Sequence, residues 1–214
     1  MTPDEAQPIL NDAEASLQAA DAARAAVLFR AVLAGAAAAE GGGPSSHQKA
    51  QAEAGLGETS LLEGRPLEAA ERFLRAAHLD PGESAWLAYR VGEAWMKAGE
   101  WEKAAEAFQT ALADWSPGDR RGRAEMLARR GLARFRGGDK GGEEDLRQAL
   151  RETPLEAGLH ADLGDCLLAR KDFPGAEASY GRAAELEPGN PDHAASLERT
   201  RAIAAKLAKG RPPA

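Results

Sequence analysis

Four histidines, one cysteine and a run of arginines are the residues in this chain with chemistry to offer, and their spacing argues against catalysis. His47, His78, His160 and His193 are scattered singly. None stands four residues from a second ligand, as a helical metal pair would require. No glycine-rich phosphate loop or dinucleotide fingerprint is present. Cys166 has no base nearby in sequence to activate it, and it occupies a position that reads as small and buried. The arginines are more conspicuous. Arg120, Arg121, Arg123, Arg129, Arg130, Arg134 and Arg136 crowd into one segment with Glu125 as the sole acid. Such an island suits bidentate recognition of a phosphate, an acidic segment or the acidic face of another copy. Pairing with Asp139, Glu143, Glu144 and Asp145 just downstream is the plainer expectation. The residues thus point to binding without a cofactor, metal or catalytic group.

The elements that position these residues follow from a recurring pattern. From each of Gly57, Gly92 and Gly164 an Ala follows after 12 residues, an aromatic after 16 and an Ala after 19. These are Ala69, Phe73 and Ala76; Ala104, Phe108 and Ala111; and Ala176, Tyr180 and Ala183. With Gly131 included, the glycines are spaced by 35, 39 and 33 residues, a period that marks stacked helical hairpins. Each glycine brings the first helix of a hairpin close to the small alanine of the second, and the aromatic fills the space between. A lone hairpin would leave its apolar face wet, so the units must stack. The turns at Glu63-Gly64-Arg65 and Ala98-Gly99-Glu100 call for left-handed glycine, and Asp80-Pro81-Gly82 and Glu187-Pro188-Gly189 are helix stops.

Two further units are degraded copies. Around Gly131 the second helix comes one residue early, and Arg130 and Arg134 occupy positions that are apolar elsewhere. Phe135 is expected to cover the gap, with the arginine stems along the surface, which would make this the weakest-packed unit. Near the N-terminus, Ala13, Ala25, Phe29 and Val32 repeat the spacing with Ala in place of Gly. The chain therefore divides into a divergent hairpin at 3–40, a flexible connection at 41–47, repeats at 50–83, 85–118, 122–155 and 157–190, and a capping helix at 191–209. Residues 48–190 hold the four repeats, and the whole reads as one solenoid domain. Ala194, Leu197, Ala204 and Leu207 are expected to form the packing face of the capping helix.

Global properties agree. Only 5% of the 214 residues are aromatic, too few for one bulky core. The net charge of −7 argues against general affinity for nucleic acid or anionic lipid. One cysteine excludes an internal disulfide framework, and neither a signal peptide nor a membrane-spanning run is legible, so the expected compartment is the cytoplasm. Richness in Ala, Gly and Arg suggests a GC-rich bacterial genome.

The Gly-Ala-aromatic-Ala phrase in tandem resembles the tetratricopeptide repeat family. The resemblance covers nearly the whole chain and implies an all-α, right-handed α-α superhelix whose first helices line a concave groove for a peptide or helix. In that family the groove positions follow the recurring Gly by one and four and precede it by three and six. Carried over, one after the Gly stand Glu14, Glu58, Glu93, Leu132 and Asp165; four after stand Leu17, Leu61, Met96, Phe135 and Leu168. Tyr89 and Ala54 lie three before, and Trp86 and Gln51 six before. Four of five units thus send a carboxylate toward the groove. This departs from the family members whose Lys, Arg and Asn clamp a C-terminal carboxylate, since Ala54 with Glu58 and Tyr89 with Glu93 have the wrong chemistry.

The expected function is a non-catalytic adaptor or scaffold that holds a Lys- or Arg-bearing amphipathic segment in an acidic, partly apolar groove. Internal pairing of Glu58, Glu93 and Asp165 with nearby arginines is the bland alternative. Two other functions stay open: self-assembly through the Arg120, Arg121, Arg123, Arg129 and Arg136 patch or the C-terminal helix, and an accessory subunit of an enzyme complex.

Overall fold

A computed structural model describes residues 1–37, 43–116 and 118–209, the side chains of 36, 37, 208 and 209 excepted. Among the described residues every long element is a helix, and contacts divide the chain into two compact units, Met1–Trp115 and Ser116–Ala214.

The first unit comprises three antiparallel hairpins: α1 (Pro3–Gln18) with α2 (Ala22–Ala37), α3 (Ser46–Leu62) with α4 (Pro66–Leu79), and α5 (Ser84–Ala98) with α6 (Trp101–Asp114). Each second helix packs on the first helix of the next hairpin, as α2 on α3 and α4 on α5. The starts are capped by sequence: Thr2 and Glu5 form a reciprocal capping box on α1, and Ser45 and Gln48 form one on α3. Hence α3 begins within the segment expected to connect the first two hairpins. Residues 38–42 of that segment lie outside the described residues.

The recurring glycines behave as the spacing demands. A Cβ at Gly57 would lie 2.8 Å from the Phe73 ring, and one at Gly92 2.7 Å from Phe108. The aromatic thus occupies the volume the glycine vacates. In the first hairpin Ala13 leaves no such volume, and Phe29 presses instead on Gly55 of α3. Gly64 and Gly99 hold left-handed turns at φ 71° and 78°.

The second unit has two hairpins, α7 (Arg120–Arg136) with α8 (Gly142–Glu152) and α9 (Ala157–Ala169) with α10 (Phe173–Leu186), followed by α11 (Pro191–Lys209) against α10. Gly164 packs on Tyr180 in the repeated manner. The degraded hairpin closes differently. Leu146 replaces the aromatic, and the smaller side chain lets two backbones meet: a Cβ at Gly131 would lie 2.8 Å from the Gly142 carbonyl oxygen.

Two expectations are corrected here. The stems of Arg130 and Arg134 do not spread along the surface. Both turn onto Asp145, whose side chain is 5% exposed: Arg130 Nε donates to Oδ2 at 2.8 Å and Arg134 Nη1 donates to it at 3.2 Å. An ion cluster therefore stands where apolar contacts stand elsewhere. The packing face of α11 is also rotated. His193 and Thr200 are buried, with Leu197 and Ala204 beside them, while Ala194 and Leu207 are exposed. Local bonds allow this, because His193 Nε2 lies 3.2 Å from Glu187 Oε2 and Thr200 donates to the Ser196 carbonyl.

Candidate functional site

The first unit presents a concavity of about 460 Å3. First-helix residues form most of its wall: Glu14 and Leu17 from α1, Gln51, Ala54 and Glu58 from α3, and Trp86 and Leu87 from α5. His47, Asp80 and Glu83 complete the rim, and Phe29 lies in the floor. Residues picked by repeat position in three different hairpins therefore converge on one hollow. Trp86 is 42% exposed, which leaves much of its indole available.

The carboxylates in and beside this hollow differ in what they face. Glu58 is bound by Arg90, whose Nε donates to Oε1 at 2.7 Å and whose Nη2 pairs with Oε2. The same guanidinium also pairs with Glu93 and lies 5.3 Å above the Phe73 ring. Arg90 therefore stitches the second hairpin to the third and offsets part of the expected acidic line. Asp80 accepts from His47 Nδ1 at 2.6 Å and from the Gly82 amide, and the His47 bond leads in holding its carboxyl below the ordinary range. Among the described residues, the Glu14 and Glu83 side chains make no hydrogen bond or ion pair.

The other groove positions in this unit are half-buried. Leu61 rests against the cluster around Phe73. Tyr89 is half-buried with its ring 6.0 Å from Phe108, and Met96 is half-buried on α5.

The second unit has its own concavity of about 430 Å3, of mixed charge, walled by Arg121, Glu125, Arg129, Leu132, Glu156 and Asp162 among others. Burial pushes the Asp162 carboxyl up to about 6; neighbouring Asp165 adds to this, and Arg129 and Arg136 oppose it. Asp165 is exposed and accepts a hydrogen bond from the Tyr180 hydroxyl, whose own pKa is raised first by burial and then by that bond. Phe135 and Leu168 are half-buried.

The arginine island is largely paired within the unit. Arg121 approaches Glu156 at 3.7 Å, Arg123 approaches Glu152 at 3.6 Å, and Arg129 approaches Glu125 at 3.7 Å. Arg134 pairs with both Asp139 and Asp145. Glu143 and Glu144, two of the expected partners, pair with Arg147 and Arg170 and with Arg151 instead. Arg120 and Arg136 are exposed at opposite ends of α7. Cys166 is buried, and burial raises its thiol to about 12.

Repeat position alone misses His47, Asp80, Glu83 and Arg90. Three of them belong to the start of α3 and the turn into α5, outside the four groove positions. One signal was available: Glu83 precedes Trp86 by three residues, so a helix begun there places both on one side. Among the described residues no group of three or more His, Cys, Asp or Glu could hold a metal ion, and no helix is long and apolar enough to cross a membrane.

Stacked hairpins closed by a glycine, an alanine and an aromatic define a class of helical repeat proteins, and sequence comparison names it. The tetratricopeptide repeat model matches residues 61–119, 89–145 and 140–191, so the chain belongs to the tetratricopeptide repeat family. No curated protein sequence matches it. Solved structures share its fold class, the right-handed α-α superhelix of tandem hairpins. MamA from Desulfovibrio magneticus RS-1 aligns with TM-score 0.71 at 20% identity, over 89% of this chain and 99% of that one. YrrB, described as a TPR protein with an unusual peptide-binding site, aligns with TM-score 0.69 at 18% identity, over 92% of each chain. The first repeat domain of Spaghetti (RPAP3), solved with the HSP90 peptide SRMEEVD, aligns with TM-score 0.51 at 20% identity, over 57% of this chain and 94% of that one. The family supports a role in protein interaction.

Proposed function

We propose that the chain is a non-catalytic adaptor of the bacterial cytoplasm, and that the concavity of its first unit holds a Lys- or Arg-bearing amphipathic segment of a partner protein. One observation carries this reading: Glu14 and Glu83, carboxylates without a partner among the described residues, line the same hollow as the half-exposed Trp86. A cationic side chain would meet the two carboxylates, and apolar side chains of the segment would cover Trp86, Leu17 and Leu87. The hollow falls in the size range of roughly 300–1,000 Å3 typical of ligand pockets, enough for a few anchoring side chains. An acidic peptide such as the one bound by the RPAP3 domain suits it poorly, since like charges would oppose entry.

The geometry also selects the variants. Reversing Glu58 and Glu93 would strip Arg90 of its partners and confuse binding with stability. Glu14→Lys with Glu83→Lys avoids this. Anisotropy of a fluorescein-labelled amphipathic helical peptide bearing Arg and Leu should show binding that weakens with salt and is lost in the double variant. Trp86→Ala should weaken it by about 2 kcal/mol, the scale of an aromatic hot spot. Unchanged affinity in E14K/E83K would remove the site from this concavity.

A further inference from the structure

The exposed side of α11 carries the chemistry that the first-unit concavity lacks. On this helix His193, Leu197, Thr200 and Ala204 face α10. At spacings of four, three and one residues, Arg199, Ile203, Lys206 and Leu207 form a second stripe. Ile203 is 42% exposed and Leu207 54%, large apolar side chains on the last turns of the helix. Arg199 donates to Ser196 Oγ, and among the described residues neither Arg199 nor Lys206 has a carboxylate partner. Arg201 and Glu198, the charges that do pair here, pair with each other, and Arg201 also pairs with Glu177.

We propose that α11 of a second copy docks in the first-unit concavity, so that the chain associates head to tail. The inference rests on the reading of that concavity as a site for a basic amphipathic segment. Arg199 and Lys206 meet Glu14 and Glu83, and Ile203 and Leu207 cover Trp86 and Leu17. Charge decides against the simpler pairing of two α11 helices, because a two-fold contact through this stripe would set the cations of one copy among those of the other. The face is small, so association is weak and depends on concentration. A contact between two unlike surfaces leaves one of each free at every step, and the products are chains or rings.

Sedimentation velocity and light scattering of the full chain over a range of concentration test this. The wild-type mass average should rise with concentration and fall with salt. Ile203→Asp with Leu207→Asp blocks the helix, and Glu14→Lys with Glu83→Lys blocks the concavity; each should weaken association about tenfold or more, leaving a monomer. All four positions are exposed, and far-ultraviolet circular dichroism verifies that both variants remain folded. The decisive sample is their equimolar mixture. One intact helix and one intact concavity then remain, and a one-to-one dimer should form that grows no further. A strictly monomeric wild type, association that persists in either variant, or a mixture without dimer overturns the inference. The labelled Arg- and Leu-bearing peptide separates the two readings. If it binds the I203D/L207D chain while the wild type stays monomeric, the concavity reading stands and the α11 inference falls; if it fails to bind, the concavity reading falls as well.

Discussion

Replacing Gly92 by alanine should destabilise the chain, although the same replacement at Gly181 should stabilise it. Both lie inside helices, so alanine brings each about 1 kcal/mol of helix propensity. The surroundings then diverge. At Gly92 the new Cβ would lie 2.7 Å from Phe108 Cε1 and 2.8 Å from Cδ1 and Cζ, where carbon atoms normally rest about 3.5–4.0 Å apart. Phe108 is fully buried and its ring packs on Tyr89, so it has no free direction in which to retreat. Overpacking of this kind costs about 1–3 kcal/mol, and simultaneous overlap with three ring atoms argues for the upper end. The net for Gly92→Ala is a loss of about 2 kcal/mol, which for a chain of this length lowers Tm by roughly 4–8 °C. At Gly181 nothing lies within 4 Å of the added methyl. Gly181→Ala should therefore raise Tm by roughly 2–4 °C. Thermal melts followed by circular dichroism would compare the two. A Gly92→Ala protein as stable as wild type would show that the hairpin spreads at no cost, and would refute the claim that glycine sets the interhelical distance.

Asp145→Asn should cost about 3 kcal/mol in urea denaturation, because it removes the nearly buried carboxylate shared by Arg130 and Arg134 and leaves Arg134 with Asp139 alone of its two carboxylate partners. The raised carboxyl of Asp162 makes a pH-dependent contribution: it stabilises fully below the ordinary value of 3.8, and this contribution is lost as pH rises through about 6. Asp162→Asn should thus be more stable than wild type by about 1–2 kcal/mol at pH 7 and indistinguishable from it near pH 4, as read from paired melts. Cys166, buried with its thiol raised to about 12, should react with a thiol reagent only as fast as the chain opens; rapid native labelling would contradict that burial.

The helical hairpins were legible because their determinants are local and repeated. Gly64 and Gly99 announce left-handed turns, Pro81 and Pro188 stop helices, and the glycine-to-aromatic spacing survives in three hairpins. Where the phrase decays, legibility decays with it. Around Gly131 the missing aromatic was visible, but the response to it was not. Two arginines folding onto Asp145 and two glycine backbones closing on each other depend on how far α8 can approach α7, which no single residue states. In α11 the hydrophobic pattern suggested Ala194 and Leu207 for the packing face. The structure keeps Leu197 and Ala204 on that face but puts His193, bonded to the preceding turn, and Thr200 in place of the other two.

The groove positions show the same division. Repeat spacing alone aligned Glu14, Glu58 and Glu93, since helices that start at equivalent points expose equivalent residues. Only the tertiary structure decided which of these charges are already answered, because Arg90 reaches one carboxylate within its own helix and another across a hairpin boundary. It likewise brought Glu83 from a turn to the rim shared with Glu14, residues far apart in the chain. Period and side-chain type determine which face a residue occupies. Whether its charge remains available to a partner depends on distances across hairpins, and those are set by packing.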